Sequence, residues 1–265
     1  MKVATFNING IRNRLPVLLA WLKKTSPDIV CLQELKATDG AFPVAAINDA
    51  GYGAIWRGEK AWNGVAILAK GSDPIETRRD LPGDPGDKQS RYIEAAVSGI
   101  LVGCLYLPNG NPQPGPKFEY KLAWLDRLLA YAKLLVESDH PVVLAGDFNI
   151  VPTDVDIYNP RSWMENALLQ PACRERYVAL LEQGWTDSLR TIHEDEHIYT
   201  FWDYMRRRHG SGYGMRIDHL LLSPSLAPRL KGANVDSWVR DLPDTSDHAP
   251  TWIELSSPKQ KKRAR

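Results

Sequence analysis

The chain has 265 residues, 43% of them hydrophobic and 25% charged, the balance of an ordinary globular protein. No run approaches the roughly 20 consecutive apolar residues that span a bilayer. The N-terminus MKVATFNING turns polar at Asn7 without the apolar core of a secretory signal, and three scattered cysteines exclude a disulfide framework or zinc knuckle. These features lead us to expect a cytoplasmic protein with Cys31 and Cys104 as small buried core residues. The formal net charge of +1 hides an asymmetry. The end KQKKRAR holds five basic residues, leaving 28 against 32 acidic ones in the body. Polyanion binding by that body therefore needs a local basic face rather than net charge. One domain over residues 1–256 and a basic, disordered tail over 257–265 are expected.

Strand-like runs recur along the chain as KVATF, DIVCLQ, GVAILA, YIEAAV, ILVGCLYL, PVVLAG, RIDHLLLS and PTWIEL. After the first run, Leu15, Leu18, Leu19 and Leu22 recur at helical spacing. A longer helix is predicted from about Lys117 to Val136, with Phe118, Leu122, Leu125, Leu129, Ala132 and Val136 on its apolar face. Residues 80–91 and 108–117 are rich in Gly and Pro and read as turns. Trp21, Trp124 and Trp185 are expected in the core. This mixture of strands and helices predicts an α/β protein with helix-covered sheets.

The strand ends carry the chemistry. VATFNING presents Asn7 and Asn9, and DIVCLQE ends on Glu34. GCLYLPN delivers Tyr106 and Asn109, while VVLAGDFN delivers Asp147 and Asn149. RIDHLLL holds Asp218, and TSDHAP holds Asp247 and His248. Asp and Asn commonly cap helices and make turns, so each site alone says little. Six such segments together imply a cluster whose acidic members repel unless a cation neutralises them. Hard divalent cations take oxygen ligands, and Glu34 with Asn7, Asn9 and Asp247 suits Mg²⁺. The remaining groups suit phosphodiester hydrolysis. Asp147 would take a proton from water, which Asn149 orients. His248, its tautomer set by Asp218, would donate to a phosphoryl oxygen, and Tyr106 would offer its hydroxyl to the same phosphate.

Taken in order, FNINGIR, CLQELK, RYIEA, YLPNG, GDFN, YTFWDY, RIDHLLLS and SDHAP resemble the exonuclease III branch of the endonuclease/exonuclease/phosphatase superfamily over residues 1 to about 255. The resemblance implies a four-layered α/β sandwich of two mixed sheets with helices outside, of the deoxyribonuclease-I-like class. It implies a Mg²⁺- or Mn²⁺-dependent enzyme that cuts double-stranded DNA 5′ to abasic sites and degrades or cleans 3′ ends, and a monomer is expected. By the resemblance, the metal environment comprises Asn7, Glu34, Asp147, Asn149, Asp247 and His248. Tyr106, Asn109 and Asn149 contact the phosphate, and Asp147 or His248 acts as base. An abasic sugar has to be flipped into a pocket, for which the resemblance implies Phe201, Trp202, Met215 and Ile217. The basic run with Arg206, Arg207, Arg208 and Arg216 is expected on DNA phosphates, with Asn9 and Asn63 also facing DNA. A phosphodiesterase of the same superfamily acting on lipid or RNA, and a noncatalytic DNA-binding module, are the alternatives. The first would carry a membrane-binding apolar hairpin or a signal sequence, or would lack RYIEA with YTFWDY; the second would lack a ligand or base.

Overall fold

The computed structural model describes residues 1–203 and 212–257. It forms two six-stranded mixed sheets. The first contains β1 (Lys2–Asn7), β2 (Ile29–Gln33), β3 (Tyr52–Arg57), β4 (Val65–Lys70), β11 (Leu230–Val235) and β12 (Thr251–Leu255), in the order β11-β12-β1-β2-β4-β3. The second contains β5 (Ile75–Arg78), β6 (Tyr92–Val97), β7 (Ile100–Tyr106), β8 (Val142–Asp147), β9 (Thr186–Asp187) and β10 (Asp218–Leu222), in the order β5-β6-β7-β8-β10-β9. Each sheet has one parallel pair, β1 with β2 and β7 with β8, among antiparallel neighbours.

A parallel pair needs a crossover, which a helix supplies. Helix α1 (Ile11–Thr25) joins β1 to β2, the short α2 (Val44–Asp49) leads into β3, and α3 (Pro116–Glu137) joins β7 to β8. The two sheets therefore repeat one strand–helix–strand unit without repeating its sequence. Their facing sides bury Val3, Cys31, Ile67, Ile93, Cys104, Val143 and Leu220 in one shared core. Trp21, Leu18 and Leu22 of α1 cover the outer face of the first sheet. Trp124, Leu128 and Leu135 of α3, with Tyr177 and Leu180 of α4 (Pro171–Glu182), cover the second. This is the four-layered sandwich expected from the sequence.

The eight strands read from the sequence are the eight interior ones, and the four it omitted are the four sheet edges, β3, β5, β9 and β11. The buried side of α3 is also turned from the expected stripe. Leu125 and Ala132 belong to both sets, but the side against the sheet centres on Lys121, Trp124, Leu128, Tyr131 and Leu135. Phe118, Leu122, Leu129 and Val136 pack along its flank.

Arg216 corrects the expectation that it meets DNA. It is 1% exposed, and its Nε and Nη1 donate to Asp156 Oδ1 at 2.6 Å and Asp187 Oδ2 at 2.7 Å. Arg190 also donates to Asp156. Nη1 lies 2.9 Å from His219 Nδ1, and His219 Nε2 lies 3.1 Å from the Ile150 carbonyl. Burial, with Arg216 second, pushes His219 down to about 4, so its neutral ring donates from Nε2 and accepts at Nδ1. This network fixes the start of β10 against the loop after β8.

Arg216→Met should lose about 3–5 kcal/mol at pH 7, because it strands buried carboxylates; denaturant unfolding measures this. Burial raises the Asp156 pKa, but Arg216, foremost among its partners, holds the group well below the usual carboxylate range. The stabilisation is present above the unfolded pKa of about 4 and is lost as pH falls through the folded value. The deficit of the variant should accordingly be full at pH 7 and smaller at pH 3.

Candidate active site

The parallel strands of both sheets end at the same rim of the sandwich. β1 ends on Asn7, β2 leads into Glu34, β7 ends on Tyr106 and β8 on Asp147. Asp218 opens β10 as the cross-strand partner of Asp147, and Asp247 and His248 immediately precede β12. Four non-glycine residues at this rim are left-handed: Asn9 (φ 48°), Glu34 (φ 51°), Lys36 (φ 49°) and Asn149 (φ 49°). Such backbone costs on the order of 1–3 kcal/mol per residue and persists where surrounding bonds impose it. Here Gly10 N donates to Glu34 O at 2.7 Å, Lys36 N to Asn63 O at 2.9 Å, and Asn149 N to Asp147 Oδ1 at 2.9 Å.

The side chains form one linked set. Asn7 Nδ2 donates to Glu34 Oε1 at 3.0 Å and to Asp147 Oδ2 at 2.9 Å, joining the two sheets. Tyr106 OH donates to the same Glu34 oxygen at 2.7 Å. His248 Nδ1 lies 2.8 Å from Asp218 Oδ2, and its Nε2 lies 3.8 Å from Asp147 Oδ2. Asn109 Nδ2 donates to Asn149 Oδ1 at 3.0 Å, and Asn9 Nδ2 to Asp247 Oδ1 at 2.9 Å. Ser246 Oγ donates to the Asn7 carbonyl at 2.6 Å, holding the Asp247–His248 segment to β1.

Burial opposes charge on His248, but Asp218, then Asp147 and Asp247, outweigh it and push the imidazole up to about 10. The ring is therefore an imidazolium near neutrality. Burial, with Asp218 and Glu34 adding to it, raises the Asp147 carboxyl well above the ordinary range against the pull of His248. Burial works in the same direction on Glu34, but Lys36 and then Asn7 overcome it and lower its pKa. Burial and the Glu34 charge raise the Tyr106 phenol, which stays a donor.

The residues fit a hard divalent cation. Asp147, Asp218 and His248 place ligand atoms within 4.8 Å of one another, and this triad could hold a metal once the imidazolium gives up a proton. Asp218 Oδ1 is buried without a hydrogen-bond partner. Glu34 and Asp247 add further oxygens on the other side of the Asn7 and Asn9 amides.

Among the expected DNA contacts, Phe201 faces the site, its ring 5.0 Å from that of His248. Met215, Ile217 and Trp202 are buried, with Met215 and Ile217 packed on Val151, Ile157 and Leu168. Phe201 packs against the Met215 and Ile217 cluster, which backs it. Arg206, Arg207 and Arg208 lie outside the described residues. Tyr106 also lines, with Trp62, Asn63, Arg91, Asn109 and Lys117, a cavity of about 440 Å³. Arg91 and Lys117 stand there beside one acidic group, Glu59, so its lining is slightly basic.

The sequence reading passed over Lys36, Lys121 and Ser246. Lys121 is fully buried, and its Nζ donates to the carbonyls of Asn109 at 3.0 Å and Asn149 at 2.5 Å. Burial brings its pKa down to about 8. Its only signal in sequence is a lysine on the inner side of an apolar helix. Lys36 pairs with Glu34 Oε2 at 2.8 Å and stands two residues after it, a spacing without recognisable meaning before the turn is known.

Two substitutions test this arrangement. In Asp218→Asn the main influence raising His248 is gone, so its pKa should fall by at least about one unit, read by histidine NMR titration without metal. Lys121→Met should loosen both asparagines and cut kcat by roughly tenfold or more while KM changes little, as expected when groups needed at the transition state lose their positions.

Residues 4–248 match the Endonuclease/Exonuclease/phosphatase family. The chain is 34% identical to exodeoxyribonuclease III of Haemophilus influenzae, over 96% of this chain and 100% of that one. It is 32% identical to the DNA repair nuclease APEX1 of Danio rerio, over 97% and 82%. Among solved structures, the 3′ phosphatase NExo from Neisseria bound to product DNA hairpin superposes with a TM-score of 0.93 at 40% identity, covering 97% of this chain and 100% of that one. An AP endonuclease from Archaeoglobus fulgidus superposes at 0.92 and 37% identity with the same coverage. A rim that gathers four carboxylates, an imidazolium and a phenol at the ends of the parallel strand pairs thus accompanies similarity along nearly the whole sequence, and the chain belongs to the endonuclease/exonuclease/phosphatase family.

Proposed function

We propose that the protein is a divalent-metal-dependent DNA repair nuclease acting on double-stranded DNA. It hydrolyses the phosphodiester 5′ to abasic sites and degrades or cleans 3′ ends as a 3′→5′ exonuclease and 3′-phosphodiesterase. The observation that carries this reading is the pairing of a buried imidazolium, His248 on Asp218, with a buried carboxylate of raised pKa, Asp147, 3.8 Å away. The curated relatives and the two solved structures above bear names of nucleases, a DNA repair enzyme and a 3′ phosphatase, which supports DNA as substrate. Mg²⁺ and Mn²⁺ both suit the oxygen-rich donor set, and the protein is taken as a cytoplasmic monomer of one domain with a basic tail.

Asp147 accepts the proton of the attacking water. A base whose pKa approaches neutrality is better matched to that transfer than an ordinary aspartate. His248 donates Nε2–H to a nonbridging phosphoryl oxygen, and Asp218 holds the ring in the required tautomer. Tyr106 adds its hydroxyl, while Asn109 and Asn149, tied through their amides and through Lys121, present their remaining N–H groups to the phosphate. Glu34 and Asp247 would hold a divalent cation, which would supply charge neutralisation for the phosphoryl group. Water oxygen bonds to phosphorus as the bond to the 3′ oxygen breaks, leaving a 3′-hydroxyl on one side and a 5′-phosphate on the other. Phe201, backed by Met215 and Ile217, stands where the flipped sugar would rest. The buried state of Met215 and Ile217 favours a second emphasis, on 3′ ends, because a flipped internal sugar asks more of that pocket than a frayed terminal nucleotide.

The deciding experiment offers a duplex with one stable abasic analogue, an undamaged duplex and a 3′-phosphate duplex, each with Mg²⁺ and with chelator. Cutting immediately 5′ to the lesion that chelator abolishes is the expected result; 3′-end processing alone supports the second emphasis, and no cutting of any duplex overturns both. Asp147→Asn should retain the fold and lose roughly 10²–10⁴ in kcat, and near-wild-type turnover would remove Asp147 from the mechanism.

A further inference from the structure

Each carboxylate oxygen has two lone pairs to give. Glu34 Oε1 has spent both, on Asn7 Nδ2 at 3.0 Å and on Tyr106 OH at 2.7 Å. Oε2 accepts from Lys36 Nζ at 2.8 Å. The remaining acceptor direction of Glu34 is therefore on Oε2, directly beside an ammonium. The same Nζ donates to Asn9 Oδ1 at 2.6 Å, and Asn9 Nδ2 donates to Asp247 Oδ1 at 2.9 Å. One cation thus reaches both carboxylates offered to a metal, the first directly and the second through an amide. Its backbone is held left-handed by the Asn63 carbonyl, which returns the side chain over Glu34 instead of letting it run out to solvent.

We propose that Lys36 is an internal counter-cation for Glu34 whose charge weakens the binding of a divalent cation there, so that the site stays assembled without metal and takes metal with moderate affinity. The inference rests on Glu34 being a carboxylate of the metal, as proposed above. Like charges on one oxygen repel, and the interaction is moderated because the Lys36 side chain is 27% exposed. When a divalent cation binds, the ammonium can withdraw toward Trp62, whose ring centroid is 5.8 Å from Nζ and whose exposed face can take a cation.

The test is direct binding of Mn²⁺, by calorimetry and by electron paramagnetic resonance of the free ion, to the full chain without DNA at pH 7.5. Lys36→Met should bind about tenfold more tightly than the parent chain. Lys36→Arg, which keeps the charge, should stay within about twofold of the parent. Equal or weaker binding by Lys36→Met overturns the proposal, as does equal tightening in both variants, which would make shape rather than charge the cause. Glu34→Gln separates the two layers of argument. If it abolishes Mn²⁺ binding while Lys36→Met leaves the affinity unchanged, the metal assignment stands and only the role of Lys36 falls. If it leaves binding intact, Glu34 is not the metal carboxylate and both fall.

Discussion

The amide of Asn7 is shared by two carboxylates from different sheets, Glu34 after β2 and Asp147 at the end of β8. The rest of the site is arranged around that bridge. Bringing two acids to one nitrogen requires the carboxyl ends of both parallel strand pairs to meet, which requires the sheets to pack face to face in one relative shift. The core of Cys31, Ile67, Cys104, Val143 and Leu220 holds that shift. Ser246 then ties the last segment to the Asn7 carbonyl, so Asp247 and His248 arrive at the same rim although they are some 240 residues from β1.

Two groups of buried charges lie within a few residues of each other and are treated differently. Below the rim, Asp156 and Asp187 are saturated by Arg216, Arg190, Tyr177 and Thr153. Their charge is fully compensated and their role is rigidity. At the rim, Asp147, Asp218, Glu34 and Asp247 are only partly compensated by His248 and Lys36, and Asp218 keeps an oxygen without a partner. A group left unsatisfied in a low-dielectric site raises pKa values and attracts cations. That deficit is the source of its chemistry.

The left-handed residues follow the same division. Asn9, Glu34, Lys36 and Asn149 accept unfavourable backbone so that polar side chains turn back over the rim. The hydrogen bonds of neighbouring loops impose this, and the strain is located where the chemistry is.

Interior strands and the polar residues at their ends were legible in the sequence, because a strand buried on both faces is nearly continuously apolar and its polar terminus stands out. Edge strands such as Ile75–Arg78, with all four residues exposed, carry no such pattern, since only one edge pairs with a neighbouring strand and water satisfies the other. The acidic cluster could be foreseen from residue types alone, as could the roles suggested for Asp147, Asp218 and His248. The partners of the basic residues could not. Arg216 stands in a basic stretch that reads as a DNA contact, yet it is buried between Asp156 and Asp187. Lys121 stands on a helix that reads as sheet cover, yet it holds two carbonyls beneath the site. Lys36 carries no local signal, yet it is paired with Glu34. Apolar periodicity is a local property and survives in one dimension. The partner of a charge is chosen by distance through space, so the tertiary structure alone decided which cations serve the fold and which serve the site.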